Sequence, residues 1–127
     1  MSFFSKIFNT EKPKEGIWKT LQTEEELVAI IQKSFDKPTA IFKHSTRCSI
    51  SSMAKSRLER NWDIAKDDLD IYYLDLIQYR STSNKIAELT GVHHQSPQII
   101  LMKGGKAVYH ASHSSISAED LKAALAS

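Results

Sequence analysis

The chain has 127 residues, 41% of them apolar, with four glycines and three prolines. That composition describes one globular domain rather than a disordered chain. Lys and Arg number 17 against 15 Asp and Glu, and the resulting net charge of +2 lacks the basic excess of a dedicated nucleic-acid binder.

One cysteine, Cys48, builds no internal disulfide framework and supplies no zinc cage by itself, so packing is expected to hold the fold without crosslinks or structural metal. The first residues, Met1-Ser2-Phe3-Phe4-Ser5-Lys6-Ile7-Phe8, do not form a charged region followed by an apolar run of signal-peptide length. No stretch approaches the length needed to span a membrane. A cytoplasmic protein with neither a membrane nor a nucleic-acid partner is the expectation.

Residues 1–15 mix aromatics with the breaker-rich Lys12-Pro13-Lys14-Glu15-Gly16. They are expected to form a partly mobile arm ahead of a domain at 16–127. A short strand is predicted over 17–21. Thr23-Glu24-Glu25-Glu26 then reads as a capping box, and Leu27, Ile30, Ile31 and Ser34/Phe35 recur at helical spacing. Residues 39–43 form an apolar strand. From Cys48 a helix is predicted with Ile50, Met53, Ala54 and Leu58 on one stripe and Lys55, Arg57, Glu59 and Arg60 elsewhere. A strand over 70–77, rich in strand formers, precedes a helix over 83–90 that Gly91 ends. Two strands, 98–103 and 106–110, flank Gly104-Gly105, whose backbone freedom suits a tight hairpin. Ser117 starts a last helix whose Leu121, Ala124 and Leu125 cover the sheet.

Right-handed crossovers turn this order into parallel strands followed by an antiparallel C-terminal hairpin, one mixed α/β sheet with helices on both faces. Cys48 lies where the second strand gives way to the second helix. The positive end of the helix dipole and free backbone N–H groups there favour a thiolate. Serine at position 51 stands where a Cys-x-x-Cys motif would carry its second thiol, so any disulfide of Cys48 must form with another molecule. The element order, together with a cysteine opening the second helix, resembles the thioredoxin fold. In that family a cis-proline precedes the fourth strand beside the reactive sulfur, and Ser96-Pro97 occupies the place here.

An isolated cysteine is often a buried, inert thiol, but Ser45, Thr46 and Arg47 before it and Ser51 after it do not suit apolar burial. Ser51, otherwise an ordinary first-turn residue, offers a hydroxyl that could hydrogen-bond the sulfur without displacing a bound thiol. Lys43 and Arg47, if not merely solvated, stabilise the thiolate and attract an anionic substrate. Thr46 belongs to the same supporting group, and His44 adds little field while neutral. His93 and His94 read as loop histidines rather than metal ligands, and Trp62, Tyr72 and Tyr73 as structural aromatics. A cysteine protease would need a base histidine held and oriented beside the thiol, for which no local signature exists. A peroxiredoxin-type peroxidase would carry threonine three places before the cysteine, where this chain has Ser45.

His44-Ser45-Thr46-Arg47-Cys48-Ser49-Ile50-Ser51-Ser52-Met53-Ala54, with Ser96-Pro97-Gln98 and Gly104-Gly105-Lys106, resembles the monothiol bacilliredoxin family over about residues 16–126. Members often carry proline after the cysteine, where this chain has Ser49. Thioredoxins place a buried acid six residues before the first cysteine to assist the second; that place is Phe42 here, consistent with a one-cysteine scheme. The resemblance implies a thiol–disulfide oxidoreductase with Cys48 as nucleophile and Ser96 and Pro97 as the substrate-side wall. It implies bacillithiol as co-substrate with no tightly bound cofactor and no metal. Its partners would be S-bacillithiolated client proteins and bacillithiol or another reductant. Two alternatives stay open: an iron–sulfur carrier built from two protomers, and a binding module in which Cys48 is inert.

Overall fold

The computed structural model describes residues 15–127; the arm expected over the first residues lies outside them as far as residue 14. A 3-10 turn, Glu15–Ile17, leads into β1 (Trp18–Thr20), then α1 (Glu24–Lys33), β2 (Thr39–His44), α2 (Ser49–Arg60), β3 (Asp70–Asp75) and α3 (Arg80–Thr90). The chain ends with β4 (Gln98–Lys103), β5 (Lys106–Ser112), a 3-10 turn at His113–Ser115 and α4 (Ala118–Ala126).

The five strands form one sheet in the order β1-β3-β2-β4-β5. β1 and β2 run parallel to β3, whereas β4 lies antiparallel to β2 and β5 antiparallel to β4. Strand alternation splits the core between two faces. Ala40, Phe42, Ile71, Ile99 and Leu101 meet Ala54 and Leu58 of α2 and Leu121 of α4. Ile41, Tyr72, Leu74 and Ile100 meet Leu27 and Ile30 of α1 and Ile86 of α3. This is the thioredoxin-like architecture expected from the sequence, with helices on both faces.

Local chemistry explains the element ends. The Thr23 hydroxyl accepts from Glu26 N at 3.1 Å while the Glu26 carboxylate accepts from the Thr23 and Gln22 N–H groups, closing the capping box of α1. Gly91 ends α3 with φ +73°, a left-handed conformation that glycine adopts without steric cost. The hairpin turn docks on α1: Gly104 N and Gly105 N each lie 2.8 Å from the Ser34 carbonyl and hydroxyl oxygens respectively.

Element bounds and helix faces differ from expectation in several places. β3 ends at Asp75, not residue 77, and α3 starts at Arg80, before residue 83, because the Asp75 carboxylate accepts from Ile77 N at 3.1 Å and turns the chain. The inner stripe of α2 is Ser51, Ala54, Leu58 and Glu59; Ile50 and Met53, expected in the core, are 57% and 63% exposed. Phe35 also leaves the stripe of α1 and lies exposed against Gly105.

Candidate functional site

The site is built where β2 hands the chain to α2. β2 is buried along its whole length, and its alternation sends Phe42 and His44 toward α2 and Ile41 and Lys43 toward α1 and α3. Beyond His44, a turn closes with Cys48 N donating to Ser45 O at 3.1 Å, and Ser52 N donating to Cys48 O at 3.1 Å begins the helix. Cys48 is thereby the N-cap of α2, in extended conformation, and its sulfur makes no capping hydrogen bond. The thiol is half-buried, flanked by exposed Thr46, Arg47, Ser49 and Ile50. A disulfide can approach it without unfolding of the helix.

Ser51, three residues on, is fully buried. Its hydroxyl oxygen accepts from Ser45 N at 3.0 Å and lies 2.6 Å from Nδ1 of His44. Both bonds join the end of β2 to the first turn of α2, so this serine fixes the loop that carries Cys48. The expected hydrogen bond from Ser51 to the sulfur is not among those of the described residues. His44 is stacked on Phe42, with ring centroids 5.8 Å apart and planes 22° apart, and packs against Tyr73 at 5.4 Å. Burial, then the Lys55 ammonium, hold its imidazole below the ordinary value, so the ring is neutral near pH 7.

His44 is the residue whose place the sequence reading missed. The signal was present: positions 40, 42 and 44 of one strand share a face, and residue 51 falls on the inner side of the helix packed over that face. Behind it, Glu59 accepts from Trp18 Nε1 at 2.6 Å and from Lys55 Nζ at 2.7 Å, while Lys55 lies 5.3 Å from the Trp18 ring centre and 5.5 Å from that of Tyr73. Trp62 and Tyr72 are core residues.

Ser96-Pro97 enters from the other side. The bond between them is cis, and the Pro97 carbonyl accepts from His113 N at 3.1 Å. Gln98, the next residue, pairs in register with Lys43. The proline therefore stands at the end of β2, from which the loop rises to Cys48. Lys43 is not the solvated charge its type suggests: it is fully buried, its ammonium has no hydrogen-bond partner, and burial lowers its pKa to about 8. Arg47 is exposed and unpaired among the described residues. His93 and His94 lie in the loop before Ser96, and no group of three His, Cys, Asp or Glu residues suited to a metal ion occurs among the described residues. No helix among them is long and apolar enough to cross a membrane.

Over residues 19–121 the sequence matches the family described as monothiol bacilliredoxin BrxC. The chain belongs to that family. A solved structure described as a candidate oxidoreductase with a thioredoxin fold is 30% identical, with a TM-score of 0.71 over 87% of this chain and 95% of that one. Thioredoxins from Malassezia sympodialis and Fasciola hepatica are 15% and 16% identical, each with a TM-score of 0.64. The first match covers 90% of this chain and 91% of that one, and the second 85% and 96%. These two similarities carry the fold alone. Membership places the chain among thioredoxin-fold redox proteins, and Cys48 is the one thiol through which it could act in that way.

Proposed function

We propose that the protein removes bacillithiol from mixed disulfides on client proteins, with Cys48 as nucleophile. The observation that carries this reading is a half-buried cysteine at the start of α2 in a chain with no second cysteine. The Cys48 thiolate attacks the bacillithiol sulfur of the mixed disulfide. The old S–S bond breaks as the new one forms, and the client leaves as a thiolate that takes up a proton from solvent. Cys48 is left bonded to bacillithiol. A second thiolate, from free bacillithiol or another reductant, then attacks that bond and returns Cys48 to its reduced form. Ser51 cannot perform this second step, because a hydroxyl does not exchange with a disulfide.

In this scheme Pro97 and Ser96 wall the substrate side, while Thr46 and exposed Arg47 border the incoming disulfide. A reduced lone thiol fits the cytoplasm. The test uses one client protein modified separately with bacillithiol and with glutathione. Faster release of bacillithiol supports the assignment; equal or faster release of glutathione rejects bacillithiol as the preferred substrate while leaving Cys48 as nucleophile.

A further inference from the structure

Two buried nitrogen atoms close to the cis-proline loop have no partner: Nζ of Lys43 and Nδ1 of His94. Their common location follows from the sheet. Lys43 and Gln98 are directly paired across β2 and β4, so their side chains project from the same face. Gln98 in turn binds the loop that carries the histidine: its Nε2 donates to the His93 carbonyl at 2.9 Å, and its Oε1 accepts from Gln95 N at 3.4 Å. The residues 93–95 are thereby pinned over the end of β2 on the side to which Lys43 points. Helix α3 packs on that same face. Its first residue is Arg80, an exposed guanidinium with no ion-pair partner among the described residues.

The charges that act on His94 have one sign. Burial, then Lys43, Arg80 and His93, all push the His94 imidazole toward its neutral form, and no carboxylate opposes them. Glu24 and Glu25 border the same hollow as Arg80, but neither forms an ion pair with it, and Glu24 accepts from Ser81. An isolated buried ammonium is costly unless something negative compensates it. The corner reaches the surface through half-exposed His94 and exposed Arg80.

We propose that Lys43, His94 and Arg80 form an anion-binding corner that holds a carboxylate of the low-molecular-weight thiol while its sulfur exchanges with Cys48. The exposed Arg80 and half-exposed His94 supply donors to the carboxylate, and Lys43 supplies positive charge from below, where solvent screens it least. This deepens the thiol-exchange reading and rests on it for the identity of the ligand, but the binding of an anion does not.

The test has two arms on the full chain. In the first, succinate is titrated and the His94 ring resonances are followed by NMR, with succinamide as the uncharged control. Saturable shifts with succinate alone, weakened in Arg80→Gln, are expected; unmoved His94 resonances, or equal shifts with both probes, would overturn the corner. In the second arm, Cys48 reacts with dithiodipropionate, a dianionic disulfide, and with neutral bis(2-hydroxyethyl) disulfide. The ratio of the two rates should fall by about tenfold in Arg80→Gln and His94→Gln, the order of one charge-assisted hydrogen bond. A ratio that stays at the wild-type value in both variants overturns the role in exchange. Failure of Cys48 to react with either disulfide would defeat the thiol-exchange reading, and the succinate titration would still decide the anion site.

Discussion

Nδ1 of His44 and Oγ of Ser51 lie 2.6 Å apart, joining the last residue of β2 to the first turn of α2 across the loop that presents Cys48. Because Ser51 Oγ also accepts from Ser45 N at 3.0 Å, one hydroxyl satisfies two buried groups. Ser51→Ala would leave both without a partner. Such a loss costs about 1–3 kcal/mol, and urea denaturation should show it. An unchanged midpoint would mean that the loop holds its shape without the hydroxyl.

The same pair gives a pH dependence. The folded pKa of His44 lies below its ordinary 6.5, so as pH falls through 6.5 the unfolded chain binds the proton first and the native state loses stability. Above 6.5 both states hold a neutral ring and the effect vanishes. Urea midpoints between pH 7.5 and 5.5 should fall more steeply for the wild type than for His44→Gln. Parallel lines would show that His44 takes up its proton as readily in the folded chain as in the unfolded one.

How far the sequence carried the fold depended on local signals. The capping box at Thr23, the hairpin at Gly104-Gly105 and the cysteine at a strand-to-helix junction are each written within a few residues, and each stands where the sequence placed it. The orientation of α2 was not written that way. Ile50 and Met53 fit an apolar stripe as well as Ser51 and Glu59 fit a polar one, yet the helix buries the polar pair. Partners distant in sequence decide this: His44 and Ser45 N for Ser51, Trp18 for Glu59. Lys43 shows the same limit, since a lysine a few residues before a cysteine reads as a surface charge until the register with Gln98 sets it inside the sheet.

Lys43→Met should stabilise the protein at neutral pH. The gap between a folded pKa of about 8 and the ordinary 10.5 measures the penalty for burying the ammonium, on the order of 3 kcal/mol at most. That penalty is fully present below pH 8 and fades as pH rises toward 10.5, where the unfolded chain loses its proton as well. The stability advantage of Lys43→Met should therefore shrink over the same window. An advantage that stays constant, or a less stable variant at pH 7, would show that the ammonium is compensated in the native protein. A variant that is more stable yet poorer at choosing anionic disulfides would identify Lys43 as a residue kept at the expense of stability.

Cys48→Ala should abolish thiol exchange and leave the urea midpoint nearly unchanged. The side chain is half-buried and makes no capping bond, so its removal leaves no enclosed cavity and should cost less than about 1 kcal/mol. A loss of several kcal/mol would mark the thiol as structural.

Ser51→Cys would turn the one-cysteine scheme into a two-cysteine one. The new thiol would occupy the inner side of the first turn of α2, beside the His44 ring that now meets the hydroxyl. A neutral imidazole there could take the proton of that thiol, the service a buried acid gives in thioredoxins and that Phe42 cannot give here. Once a small thiol is bonded to Cys48, the residue 51 thiolate would attack the Cys48 sulfur, expel the small thiol and close an internal disulfide, provided the two sulfurs reach bonding geometry. Mass spectrometry after a pulse of oxidised small thiol should show a mixed disulfide that persists in the wild type and decays in the variant to a species two hydrogens lighter than the reduced protein. A persistent adduct in the variant would mean that His44 and Ser45 hold residue 51 turned away from Cys48 throughout the exchange.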